Sequence, residues 1–316
     1  MIFTRNTPAM GALARLTAIL ALAVSGLIFP HQATAQTVTR ASAAPGSITD
    51  PNISALAGYY NQMQAQLVGR GYLRQNRNAG SDVDAATLAR NFMAIAMSSE
   101  YTLTANGPSG SGGAAPLRRW EEPIRIQVRF GASVGAAQRR ADISAVRGVA
   151  QRLQRASLHP VSVTQGDPNF FVLVLNDTER ANARPLLAQI APNLSRGATN
   201  AITRMRRNTF CMVIATPAPD PAQGYVQAIA VVRAELPPLM RQSCIEEELA
   251  QGMGLCNDSD AARPSIFNDD EEYGVLTRHD EMLLRMLYDD NLRPGMSPAQ
   301  VGRRIDQIAA AVLARS

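Results

Sequence analysis

Phe170-Phe171-Val172-Leu173-Val174-Leu175 most constrains the fold: six apolar residues run without a polar break. A strand with one wet face alternates apolar and polar residues, so a short unbroken apolar run reads as a buried strand. Phe210 to Ala215 and Tyr225 to Arg233 read as two more. By contrast, Ile124, Ile126, Val128 and Phe130 alternate with Arg125, Gln127 and Arg129, the period of a half-buried strand. Between them, Asp142 to Arg155 places Ile143, Val146, Ala150 and Leu153 on one helical face. Asp177-Thr-Glu-Arg reads as the capped start of a short helix around Leu186 and Leu187. The order strand, helix, strands, helix predicts an α+β fold.

The rest of the chain divides around this unit. Residues 1–35 carry Arg5 and Arg15, no acid, an apolar run from Ala18 to Phe29 and a small-residue site at Ala33-Thr34-Ala35. That is the pattern of a signal peptide cleaved near Ala35. The apolar run is short for a membrane span, which needs about 20 residues. The mature chain is expected in the periplasm or secreted, with no span remaining. Residues 36–53 read as a disordered leader. Residues 54–104 hold two helices, one over Ser54 to Val68 and one from Asp84 with Leu88, Phe92 and Ile95 on a stripe. Together they predict a helical hairpin. Residues 105–116, with Gly-Pro-Ser-Gly-Ser-Gly-Gly at their core, predict a flexible linker. The main domain then spans 117–296. Within it a helix starts at Arg278, capped by Thr277 and Asp280, and carries Leu283, Leu284 and Leu287. Residues 297–316 form a terminal amphipathic helix opened by Ser297-Pro-Ala-Gln300 and carrying Val301, Ile305, Ile308 and Val312.

Composition excludes several chemistries. All 31 basic residues are arginine, so no lysine Schiff base can form. Removing the two signal arginines from a net charge of +5 leaves +3, and this mild balance in an exported chain argues against nucleic acid as a partner. Only His159 and His279 remain after the signal, 120 residues apart, so one chain cannot build a three-histidine zinc site. Cys211, Cys244 and Cys256 make an odd set, allowing one disulfide in three pairings. Cys211–Cys244 is favoured because it would clip a strand to the following helix. Cys256 is then buried or free to pair between molecules. A cysteine nucleophile is not expected, for want of a histidine close in sequence.

The helix after Pro237-Pro238 carries the functional question. On it Ile245, Leu249, Gly252 and Met253 share one face, while Cys244, Glu247, Glu248 and Gln251 occupy an adjoining arc of roughly 100°. Glu246 and Ala250 point elsewhere. Gly254 stands where helices end on glycine. A zinc peptidase helix has His at i and i+4 and a general-base Glu at i+1. Here Glu247 and Gln251 hold the ligand positions, and Glu248 holds the base position.

Downstream come Gly254-Leu255, Cys256-Asn257-Asp258, Ser265-Ile266-Phe267, Leu276-Thr277, Asp280 and Leu287-Tyr288. From Cys244 to Tyr288 this resembles the zincin peptidases, in their matrixin-like metzincin branch. The resemblance implies a zincin-like mixed sheet with an active-site-type helix. It matches Glu247 and Gln251 to the first two ligands, Glu248 to the base, Asn257 to the third ligand and Phe267 to the turn methionine. From Ser54 to Ala299 the chain also resembles an uncharacterised family of secreted bacterial proteins known as a domain of unknown function. That likeness rests on Leu117-Arg118-Arg119-Trp120, Cys244-Ile-Glu-Glu-Glu-Leu-Ala-Gln251, Asn257-Asp258 and Ser265 to Asp270, and it implies secretion.

The expected function is that of an exported zincin-like pseudopeptidase, a module binding a peptide, an envelope protein or an envelope polymer. Its ligand would lie along an edge strand at Tyr225 to Arg233. The alternative is a non-classical hydrolase with Glu248 as general base and an oxygen-ligated or absent metal. The oxygens of Glu247, Gln251, Asn257 and Asp258 would suit a divalent cation such as calcium better than zinc. The favoured reading expects no cofactor, with the amides of Gln251 and Asn257 closing the former site. Asp269 to Glu272 reads as a solvated acidic turn, and His159 and His279 as surface residues. Trp120, with Arg118 and Arg119 beside it, reads as a core anchor in preference to a ligand shelf.

Overall fold

A computed structural model of the chain describes residues 2–6, 51–99, 101–104, 107–109, 112–268 and 270–315. The expected cleavage point at Ala35 and most of the expected leader lie outside these residues. At the N-terminus, strand β1 (Ile2–Asn6) is followed by helices α1 (Pro51–Gly69) and α2 (Ala85–Ala96). Two small ribbons come next, made from β2 (Ser98–Ser99), β3 (Thr102–Thr104), β4 (Gly107–Ser109) and β5 (Gly113–Ala114). In them β2 pairs with β5 and β3 with β4, so the segment expected to be a flexible linker holds paired strands instead. The main unit runs β6 (Ile124–Phe130), α3 (Ala136–Ser157), β7 (Val161–Val163) and β8 (Phe170–Leu175). It continues through α4 (Asp177–Ala181), α5 (Arg184–Ile190), α6 (Arg196–Thr203), β9 (Thr209–Pro217) and β10 (Tyr225–Arg233). Last come α7 (Pro238–Gln251), α8 (Arg278–Leu287), α9 (Pro298–Gly302) and α10 (Ile305–Leu313).

The fold is mixed α+β around one sheet of order β1-β9-β10-β8-β6-β7. Strands β7, β6, β8 and β10 are parallel, β9 is antiparallel to β10, and β1 is antiparallel to β9. Tyr225–Arg233 is therefore an interior strand, which corrects its expected place at an edge. The apolar run alone could not tell β9 from β10, because both are flanked by paired strands and covered on both faces.

Residue alternation explains why β8 is apolar throughout. Phe170, Val172 and Val174 face the larger core, with Val146, Ala150 and Leu153 of α3 and Ile245 and Leu249 of α7. Phe171, Leu173 and Leu175 face the other side, against Leu187 and Ile190 of α5 and Ala198, Ala201 and Ile202 of α6. Helices thus cover both faces, and no position on β8 meets water.

The expected hairpin is not formed, because α1 and α2 dock at different places. The α2 helix packs on α8 and α10, burying Leu88, Phe92 and Ile95. By contrast, α1 sits over the start of α7. Tyr60 is buried edge-on to Phe210 and donates to the Arg207 carbonyl at 2.8 Å. Gln64 Oε1 accepts from the backbone N–H groups of Leu239 and Met240, at 3.0 and 3.2 Å. A helix opening on Pro237-Pro238 has no capping side chain of its own, so α1 supplies one. At the C-terminus the expected helix is broken at Arg303-Arg304 into α9 and α10, and Val301, Ile305, Ile308 and Val312 are all buried. Among the described residues no helix is long and apolar enough to cross a membrane.

Candidate functional site

The α7 helix follows β10 directly and packs on β9 and β10. A disulfide between Cys211 of β9 and Cys244 of α7 ties them together, with Cα atoms 5.9 Å apart. This is the favoured pairing of the three. Cys256 is the free cysteine and is buried. Its thiol donates to the Gly254 carbonyl at 3.0 Å and lies 3.2 Å from the Tyr225 hydroxyl. Burial raises its pKa, so it stays a thiol and is a poor nucleophile.

The acidic run on α7 is inside the protein. Glu246, Glu247, Glu248 and Gln251 are between 0 and 3 % exposed. Burying a carboxylate is costly unless hydrogen bonds and counter-charges replace water. For Glu246 the replacements are visible. Arg77, from the loop between α1 and α2, grips both its oxygens at 2.7 and 2.5 Å. The Leu276 N–H and the Gln242 amide add donors at 2.9 and 3.1 Å. Arg77→Ala should lower stability by about 2 kcal/mol, below the range for a fully enclosed pair because water reaches Arg77. Urea unfolding would show this as a lower midpoint.

At Gln251 and Asn257, amides make the contacts. Gln251 Nε2 donates to Asp258 Oδ1 at 2.9 Å. Asn257 Nδ2 donates to the carbonyls of Ala94, at the end of α2, and Asp258, at 3.1 and 2.7 Å. The structure thus joins Gln251, Asn257 and Asp258 into one hydrogen-bonded strip, capped from outside by α2. Gln251 Oε1 is buried without a hydrogen-bond partner among the described residues. Also among these residues, no three His, Cys, Asp or Glu side chains gather as a metal site would require.

Asp280 organises the Ser265-Ile266-Phe267 turn. It is fully buried and accepts from Ser265 Oγ at 2.6 Å, Ile266 N at 3.1 Å and Thr277 N at 2.8 Å. The same carboxylate completes the capping box of α8. Next to it, His279 is fully buried, so its reading as a surface residue is corrected. The Asn91 amide nitrogen lies 3.0 Å from its Nε2, and Asp280 Oδ1 lies 3.4 Å from its Nδ1. An amide NH₂ only donates and a carboxylate only accepts, so the ring proton sits on Nδ1. His279 is thus a core strut linking α2 to α8.

The remaining readings separate clearly. Trp120 is a core anchor: its indole N–H donates to the Gly252 carbonyl at 2.8 Å, and its ring stacks on Phe170. The acidic turn is held by arginines, with Arg263 on Asp270 and Glu272 and Arg74 also on Glu272. Asp269 lies outside the described residues. His159 is partly buried against the Tyr288 ring, 4.7 Å between centroids, and its Nε2 donates to the Glu122 carbonyl at 2.9 Å. Burial, helped by Arg119, lowers its pKa and keeps it neutral near pH 7.

Arg77 and Asn91 are the site residues that sequence reasoning missed. Arg77 lies in a polar loop without period, and Asn91 is one polar residue on an apolar helix. Neither carries a signal that places it beside a helix 169 residues (Arg77) or 188 residues (Asn91) further along.

No curated protein and no solved structure matches the chain. One family model does match, over residues 85–307, and its description is "protein of unknown function (DUF2927)". The match starts at α2 and ends within α10, taking in the whole sheet apart from β1.

Proposed function

We propose, for a chain that belongs to this DUF2927 family of proteins of unknown function, a zincin-like pseudopeptidase that is exported and binds extended peptides. The proposed peptide-binding strand is β9, which becomes the edge of the sheet once β1 is removed. One observation carries the reading: an extended segment, Ile2–Asn6, already pairs antiparallel with the outer side of β9, from Ile2 against Ile214 to Asn6 against Thr209. Cleavage near Ala35 removes that segment and frees the backbone N–H and C=O groups of β9. An extended segment of a partner peptide or envelope protein then takes its place, since strand addition needs only main-chain pairing.

The zincin-like part of the proposal is supported by α7 directly after a parallel strand, by Gly254 just past its end and by the Asp280-bound turn further along. The loss of catalysis is supported by the closure of the old ligand positions. Zinc wants imidazole, thiolate or carboxylate at those positions. Gln251 and Asn257 instead engage their N–H groups with Asp258 and Ala94, so they do not fit it. Glu248, at the base position, is enclosed, and no catalytic step is assigned to it.

Hydrogen exchange on the mature chain from Gln36 tests this directly. The amides of β9 should exchange faster than in the full chain, and a synthetic peptide spanning Ile2–Asn6 should restore their protection. Equal protection in both forms would mean the edge is closed by other means, and the reading fails. Glu248→Gln should leave peptide binding within about twofold of the parent. Stoichiometric metal in the purified mature protein, lost in Glu247→Ala or Gln251→Ala, would overturn the pseudopeptidase half.

A further inference from the structure

We infer that a second site, a cleft between the end of α3 and the last turn of α8, binds a compact organic oxyanion. The cleft has a volume of about 580 Å³, within the usual range for small-ligand sites. It is separate from the residues named on α7 and the loop after it: none of Glu247, Glu248, Gln251, Asn257 and Asp258 lines it.

Arginines dominate its wall. Arg155, Arg278, Arg285 and Arg315 all line it. Two acids there are already engaged. Glu281 is shared by Arg152 and Arg278, at 2.8 and 3.2 Å, and Glu121 is held by Arg119 at 2.8 Å. Asp289 and Asp290 also line the cleft, and Asp289 Oδ1 accepts from the backbone and side chain of Asn291. Among the described residues no ion pair joins Arg155, Arg285 or Arg315 to a carboxylate. Arg285 is fixed in place, its Nε and Nη2 donating to the Ala156 and Arg155 carbonyls at 2.5 and 2.7 Å. Burial, and then the charges of Arg278 and Arg315, lower its pKa, so the cations repel one another across the cleft. A bound anion relieves that repulsion, and guanidinium forks suit carboxylate and phosphate oxygens alike.

The rim supplies a second, independent sign. Leu158 ends α3 with φ of 62°, the left-handed position where helices usually place glycine. Its side chain is 71 % exposed. A leucine held in a strained conformation with its side chain in water has no structural role to explain it, but it offers an apolar contact to a ligand body. The His159 ring, braced on Tyr288, lies on the same wall.

Calorimetric titration of the mature chain with citrate and, separately, with inorganic pyrophosphate at low salt tests the site. One-to-one binding of either anion is expected, citrate alone indicating a carboxylate ligand and pyrophosphate alone a phosphate ligand. The exposed pair Arg155→Ala/Arg315→Ala should weaken binding by about tenfold or more while leaving the fold intact. Leu158→Gly should raise thermal stability and yet weaken binding of an anion with an organic body. Two results would overturn the inference: no saturable binding of either anion up to about 10 mM, or an affinity unchanged in the double arginine variant.

Discussion

Gly254→Ala is expected to destabilise the protein by about 3–4 kcal/mol, lowering the thermal midpoint by roughly 10 °C. Two costs add. Gly254 has φ of +128°, a region that residues with a Cβ rarely enter. An added Cβ would also lie 2.1 Å from the Arg118 carbonyl oxygen and 3.1 Å from Leu287 Cδ2. The carbonyl belongs to the segment that seats Trp120 under the end of α7, so it cannot yield without moving the core. Differential scanning calorimetry of the purified variant gives the answer. A midpoint within about 2 °C of the parent would show that the turn after α7 is more pliant than this geometry implies.

Breaking the Cys211–Cys244 disulfide comes next in size. The bond closes a separation of 33 residues, for which loop-closure entropy in the unfolded chain is worth about 3–4 kcal/mol. Cys211→Ala/Cys244→Ala, or the parent protein in reductant, should unfold at correspondingly lower urea. The bond also anchors α7 to β9, so the proposed peptide edge should loosen with it, and β9 amides should exchange faster. Thiol counting supplies a check: one thiol per chain should react, and only after denaturation, because Cys256 is buried with a raised pKa. A midpoint indifferent to reductant would contradict the assignment.

Much of the fold was legible in the residues. The four long strands of the main sheet, α7 and α8 fall where period and breakers place them, α3 extends from its expected start at Asp142 back to Ala136, and Thr277 with Asp280 forms the box expected of it. Periodicity is a local property, and each of these elements is apolar at the spacing its own geometry demands. The pairing of strands is not local. Tyr225–Arg233 looked like an edge and is interior, because only its neighbours β8 and β9 decide which groups remain unpaired. The docking of α1 and α2 is not local either: α2 lays its apolar stripe on α8 and α10, while Gln64 of α1 caps the start of α7.

The site divides along the same line. Sequence by itself determined that only two histidines follow residue 35, too few for a three-histidine centre, and that Glu247, Glu248 and Gln251 share one arc of a helix. Those conclusions need only residue identity and helical spacing. Tertiary structure alone decided that the acidic run is enclosed, that Arg77 answers Glu246 and that α2 closes over Asn257. The physical reason is that burial and charge compensation belong to contacts between distant segments. A carboxylate reads the same in the chain whether water or a guanidinium from far upstream stands beside it.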